Sequence, residues 1–278
     1  MGALVTVSTT EAVGSASDLS EGIRDWREGI ARHELWTTFA WNDVRSRYRR
    51  SRLGQFWITL SVMVFIAAVG VFYAAILHTD LKTYLPYLTV GYVVWLFITT
   101  VITEGGIVYT SAAALMIQGR IPLSLLALRC VYRNLIVLAH NAVIIPIVFL
   151  LFHVSVSWTV LLVIPGLALV SVLMFWVTIL LGALSARFRD VPQITISLLA
   201  VIFLVTPILW QSNALGPQVQ RLIHLNPFAY LLDVIRQPLL GEVPSLRTWL
   251  VVSVMALGGL TASLFIFSRF RARVPYWL

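Results

Sequence analysis

Five arginines, Arg45, Arg47, Arg49, Arg50 and Arg52, fall within eight positions, and the chain then runs from Phe56 to Leu77 without a charge. A guanidinium is costly to bury in hydrocarbon but at home beside anionic head groups, at roughly 1 kcal/mol each near a charged surface. A basic block leading straight into about 22 apolar residues reads as the cytosolic collar of a first membrane span.

Other chemistry is sparse. A phosphate-cradling loop needs a glycine-rich turn closed by Gly-Lys-Ser/Thr, and the only lysine, Lys82, follows Asp80-Leu81. The chain therefore holds no nucleotide by that route, and no cofactor is expected on it. Energy for uphill movement would come from another subunit or from an ion. Ion coupling would place carboxylates or histidines inside the bundle; Glu104, His140 and Asn141 could form such a relay. The favoured reading is plainer: His140 and Asn141 hydrogen-bond across helices, and Glu104 sits at the cytosolic boundary. The single cysteine, Cys130, excludes an intrachain disulfide and a cysteine-based metal cluster.

Aromatic residues offer a further pattern. Trp57, Phe65 and Phe72 fall along one face of the first span, and Tyr84, Tyr87 and Trp95 share a face of the second with Gly91. Rings along a path suit sugars, whose C–H faces stack on them while hydroxyls meet tyrosines. The alternative for each ring is packing at mid-depth or an interface belt at a span end.

These residues must be positioned by helices in a membrane. The 278 residues are 59% hydrophobic and 12% charged, against about 25% charged in an ordinary soluble domain. The apolar segments are too long for barrel strands. The sequence predicts an all-α integral membrane protein with six spans, near 56–78, 85–103, 132–153, 158–184, 194–210 and 249–270. Arg129 and Arg133 blur the start of the third, and Pro207 should end or kink the fifth. Residues 1–19 read as a disordered cytosolic tail without the apolar core of a leader. Residues 20–55 read as an amphipathic interface helix plus the collar, and 56–278 as the transmembrane domain. The helix carries Ile23, Trp26, Ile30, Trp36 and Phe39 between charged residues, and suits a membrane surface or a protein partner.

A net charge of +8 would suggest nucleic acid in a soluble protein. Here the basic residues sit at span ends, so no nucleic-acid partner is expected. Sixteen of the twenty fall on the side of the termini and four on the other, which orients both termini to the cytosol. Between spans two and three, Leu115, Met116 and Ile117 form a short apolar stub before Gly119-Arg120 and a restarting Pro122, suited to docking on a cytosolic partner. The external segment 211–248 is broken at Asn226-Pro227 and Gly241 and suits two short re-entrant helices.

Several runs resemble the ABC-2 type permeases that export polysaccharides. They are Asp43…Arg47-Tyr48…Ser51-Arg52-Leu53-Gly54…Trp57, Arg129…Arg133-Asn134…His140-Asn141, Phe188-Arg189-Asp190-Val191, Thr206-Pro207-Ile208, and Asn226-Pro227…Arg236…Leu239-Leu240-Gly241. Their order holds from about residue 33 to 270; Asn42 departs from the arginine usual in the family. The resemblance implies the ABC-2 (type V exporter) fold and a homodimer of six-span subunits in the bacterial inner membrane. It also implies two copies of a separate ATPase carrying ATP and Mg, and a lipid-diphosphate-linked glycan as substrate, such as O-antigen, galactan or teichoic acid.

On that basis residues 111–123, with Leu115, Met116, Ile117 and Arg120, become the ATPase-coupling helix. Asn226, Pro227, Phe228 and Arg236 belong to the external gate. Arg45, Arg47, Arg49, Arg50 and Arg52 meet the diphosphate, and the six aromatics line the glycan path. The expected function is a transport subunit, not an enzyme. The alternatives are an ABC-2 exporter of small apolar drugs or lipids, and a membrane enzyme of lipid-linked sugar metabolism, which would need convergent acids that this chain scatters.

Overall fold

The structure, a computed structural model, describes residues 5–47, 56–118, 121–211 and 216–278. Tyr48, Arg49, Arg50, Ser51, Arg52, Leu53, Gly54, Gly119 and Arg120 lie outside the described residues. Among those described, every regular element is helical. Five segments are long and apolar enough to cross a membrane: Phe56–Leu77, Leu81–Gly106, Leu123–Phe152, Trp158–Arg187 and Leu246–Trp277. Val191–Val205 is a shorter apolar helix.

At the N-terminus, α1 (Val5–Ala31) and α2 (His33–Arg47) follow one another with a break at Arg32. Helix α1 begins at Val5, upstream of the Ser20 boundary read from the sequence. Helix α3 (Phe56–Leu77) fully buries only one stripe, Ile66, Gly70 and Ala74 at four-residue spacing, and presents Val64, Val71 and Phe72 outward. Helix α4 (Leu81–Gly106) is the axis of the fold, with side chains buried on all sides, as a helix apolar all round must be. Asp80 caps its start by accepting from Lys82 N at 3.0 Å.

After two short helices, α5 (Val108–Ser111) and α6 (Ala113–Gln118), comes a bent pair, α7 (Leu123–Ala142) and α8 (Ile144–Phe152). Pro146 explains the bend, since it offers no N–H and its ring crowds the carbonyl of Ala142 one turn back. This segment starts nine residues before the expected 132, because Arg129 and Arg133 are paired within the protein and do not end the helix. A 3-10 turn (Trp158–Leu162) leads into α9 (Val163–Arg187), which crosses α4 closely. A Cβ on Gly182 would lie 3.1 Å from the Gly105 carbonyl oxygen and 2.7 Å from a Val108 methyl.

Helix α10 (Val191–Val205) ends where Pro207 forces Thr206 into extended backbone, at φ −88° and ψ 136°. The two short helices expected after it are α11 (Pro217–Ile223) and α12 (Pro227–Leu239). The second ends in a Schellman turn: Gly241 takes φ 89°, its N–H donates to Pro238 O, and Glu242 N–H donates to Gln237 O at 2.8 Å. The last segment joins α13 (Leu246–Ser253) through a π turn to α14 (Gly259–Phe270), then α15 (Val274–Trp277).

Candidate functional site

The collar end is held by a network of two carboxylates and three guanidinium groups. Glu104, in the last turn of α4, accepts four hydrogen bonds: Arg47 Nη2 at 2.9 Å, Arg133 Nε at 3.2 Å, Arg133 Nη2 at 2.7 Å and Asn134 Nδ2 at 2.7 Å. Asp43 on α2 accepts both Arg129 Nε at 2.8 Å and Nη2 at 2.6 Å, a bidentate pair, and Arg133 Nη1 at 3.1 Å. Three helices, α2, α4 and α7, are thereby fastened at one level. Asp43, Arg47, Arg129, Arg133 and Asn134 all stand in the runs that carried the resemblance, which here become one cluster.

A cavity of about 310 Å³ opens beside this network, lined by Arg47, Glu104, Arg129 and Arg133 and by apolar residues of α5 and α7. Three arginines face two carboxylates, an excess of one positive charge. Of the residues expected to meet a diphosphate, Arg45 is exposed and Arg47 is half-committed to Glu104; Arg49, Arg50 and Arg52 are not described. Glu104 is not a lone proton carrier but the hub of the cluster. His140 Nδ1 lies 2.7 Å from the Ile136 carbonyl on its own helix, and Thr59 Oγ1 donates to the His140 carbonyl across α3 and α7.

A second anchor was not legible in the sequence. The first N–H groups of a helix lack intrahelical acceptors, and Pro122, in the cap position of α7, supplies no side-chain oxygen. The Asp25 carboxylate of α1 fills the gap by accepting from Leu123 N at 3.1 Å and Ser124 N at 3.0 Å, while Ser124 Oγ donates to the Asp25 carbonyl at 2.8 Å. Arg271, beyond α14, closes the cluster on Asp25 and Glu21. Asp25→Ala should cost about 1–2 kcal/mol, a lost cap plus a lost helix-dipole contact, and thermal unfolding together with faster hydrogen exchange over residues 18–31 would register it. Nearby, Glu28 is held below the usual carboxylate range by its hydrogen bond from Arg24. Burial raises the Tyr109 phenol well above its ordinary value, so it stays neutral.

Leu115 and Met116 are partly buried against this chain's own core, leaving only part of the α6 stub for any partner. The Ile117 side chain and Arg120 are not described.

At the opposite end, the break at Thr206-Pro207 frees carbonyls that a helix would have paired. Tyr84 Oη donates to Leu209 O at 2.6 Å, and Tyr87 Oη to Pro207 O at 2.9 Å and Trp210 O at 3.2 Å. Arg236, 4% exposed, donates to Pro207 O at 2.6 Å and to Asp233 Oδ1 at 2.5 Å, with its guanidinium 4.2 Å from the Tyr87 ring centre. Asn226 caps α12 through Phe228 N and donates to Thr206 Oγ1 at 2.9 Å. Asn226 and Arg236, expected at an external gate, thus both grip the broken end of α10, and Pro227 opens α12.

The six aromatics divide. Trp57, Phe65 and Phe72 are exposed on α3, Phe65 stacking on Tyr92 with ring centres 4.5 Å apart. Tyr84 is fully buried, and Trp95 is enclosed between Phe203 and Phe228. Both rings are packed inside the protomer and not on its outer face. Tyr87 is half-buried, with its hydroxyl committed to backbone carbonyls.

A chain whose described elements are all helical, with several of membrane length, is a multi-pass membrane protein. Residues 34–240, from α2 through α12, match the ABC-2 type transporter family, and the chain belongs to that family. It is similar to the O-antigen export system permease protein RfbA of Myxococcus xanthus, 22% identical over 213 residues that cover 76% of this chain and 82% of that protein. Two proteins of the same name from Klebsiella pneumoniae are 24% and 23% identical over 196 residues, covering 68% of this chain and 74% of each.

Proposed function

We propose that the chain is the permease subunit of an ABC exporter that moves a polyprenyl-diphosphate-linked polysaccharide across the bacterial inner membrane. The observation that carries this reading is that the Asp43–Arg133–Glu104 network and the Arg236 grip on Pro207 both fall within the family region, alongside relatives named for O-antigen export. Two copies of the chain form the path, and two separate ATPase subunits supply the work from the cytosol; this chain itself performs no hydrolysis.

Six crossings fit the geometry. Helix α10 has 15 residues, about 22 Å at 1.5 Å per residue, short of a hydrocarbon core of about 30 Å. Residues 206–210 continue it as turns gripped by Tyr84, Tyr87 and Arg236, and a bilayer thins locally around a short apolar helix at modest cost. Both termini then lie in the cytosol with the basic collar. Helices α3 and α10 bury little within the protomer, which leaves their apolar faces for a second copy or lipid. On α3, Trp57, Phe65 and Phe72 are the rings available to a glycan.

The diphosphate is met at the collar, where Arg45 is exposed beside the positively charged cluster. Arg45→Ala should reduce export at least several-fold while the folded protein still binds its ATPase. Surface polysaccharide on immunoblots, with ATPase co-purification as the control, measures this; unchanged export would remove Arg45 from that role.

A further inference from the structure

A groove on the collar half of the bundle plays no part in the clusters described so far. It lies between the end of α9 and the α14–α15 segment, with a volume of about 270 Å³. Phe267 forms its buried floor, Leu184 and Ile266 its exposed walls, and Phe270 and Trp277 its far side. The one charged group is Arg187 at the mouth, whose guanidinium carbon sits 5.2 Å from the Phe188 ring centre and 5.5 Å from that of Trp277.

We propose that this groove binds an anionic glycerophospholipid, one acyl chain lying in the apolar trough and the phosphate head group on Arg187. The trough alone would take any apolar chain. Charge decides the class of head group, because Arg187 has no carboxylate partner among the described residues, and Arg189, Arg269 and Arg273 are likewise exposed without ion pairs there. Asp190, the nearest acid in sequence, makes no ion pair with Arg187. Two aromatic faces hold the guanidinium in place while leaving its N–H donors unused. Basic groups between helix ends at the cytosolic leaflet are suited to anionic head groups.

The occupant is a membrane phospholipid, not the diphosphate-linked substrate. The walls belong to α9, α14 and α15, whereas Arg45 and Arg47 stand on α2. Lipid bound here would brace the C-terminal segment against α9, next to the Arg271 contact with α1.

Native mass spectrometry of the delipidated full chain, offered equal phosphatidylglycerol and phosphatidylcholine, tests the proposal. Retained phosphatidylglycerol is expected in clear excess. Arg187→Gln should lower that preference about fivefold, the equivalent of about 1 kcal/mol per arginine near a charged surface. Leu184→Trp, which fills the trough and keeps the charge, should reduce retention of both lipids; it also serves if Arg187→Gln does not fold. Arg247→Gln, at the other end of the bundle, should change nothing. Equal retention of the two lipids, a preference unmoved by Arg187→Gln, or retention unmoved by Leu184→Trp would overturn the proposal. So would retention of undecaprenyl diphosphate over phosphatidylglycerol at the same site, which would assign the groove to the carrier.

Discussion

Glu104→Ala is expected to destabilise the protein by about 2–4 kcal/mol, the cost of leaving buried charges without their partner, moderated because the Glu104 side chain remains 22% exposed. Four hydrogen bonds from three residues converge on this carboxylate. Without it Arg133 keeps Asp43 and a weak contact to Cys130 Sγ, Arg47 has no described partner, and Asn134 Nδ2 keeps the Cys130 carbonyl and Sγ. Glu104→Gln should recover little, since its amide turns two donors toward groups that are already donors. Thermal unfolding of the purified protein, followed by tryptophan fluorescence, should show alanine and glutamine falling well below wild type. A melting temperature unchanged in Glu104→Ala would mean that the network is not what fastens α2, α4 and α7.

The second large effect is expected at Arg236. Arg236→Ala removes a side chain that bridges a carboxylate, a freed backbone carbonyl and an aromatic face, and should cost about 3 kcal/mol. Asp233 loses its ion pair, while Pro207 O keeps only the Tyr87 hydroxyl. Arg236→Lys retains the charge but not the planar fork, and a single ammonium cannot serve Asp233 and Pro207 O while covering the Tyr87 ring. It should therefore recover less than half the loss. Hydrogen exchange at residues 208–211 should rise in both variants, because the broken end of α10 is held mainly by these donors. Protection equal to wild type in Arg236→Lys would contradict the planar-fork explanation.

What the sequence makes legible follows from periodicity and charge. Long apolar runs bounded by charged residues mark α3, α4, α9 and the last segment within a few residues, because hydrocarbon tolerates little else. The stop at Pro207 and the pair of short helices after it are equally visible, since proline acts locally. Partnership is not visible in the same way. Arg129 and Arg133 look like interruptions until Asp43, 86 residues away, and Glu104 are found beside them. Asp25 gives no sign that it will cap a helix 98 residues further on. Tyr84 and Trp95 share a helical face as the spacing implies, but which neighbour covers that face depends on how α10 and α12 pack. For the same reason the sequence could nominate a glycan-lining set yet could not separate rings that point outward from rings buried within.

The most direct test is transport itself. The chain would be reconstituted with its ATPase in liposomes holding a fluorescent polyprenyl-diphosphate-linked oligosaccharide, and the glycan made inaccessible to an added lectin would be followed over time. ATP should drive the glycan across only when both subunits are present, and Arg45→Ala should slow that movement several-fold with ATPase binding intact. ATP-dependent movement of a small apolar dye in the same liposomes, with the glycan left where it started, would contradict polysaccharide export and favour an exporter of apolar small molecules.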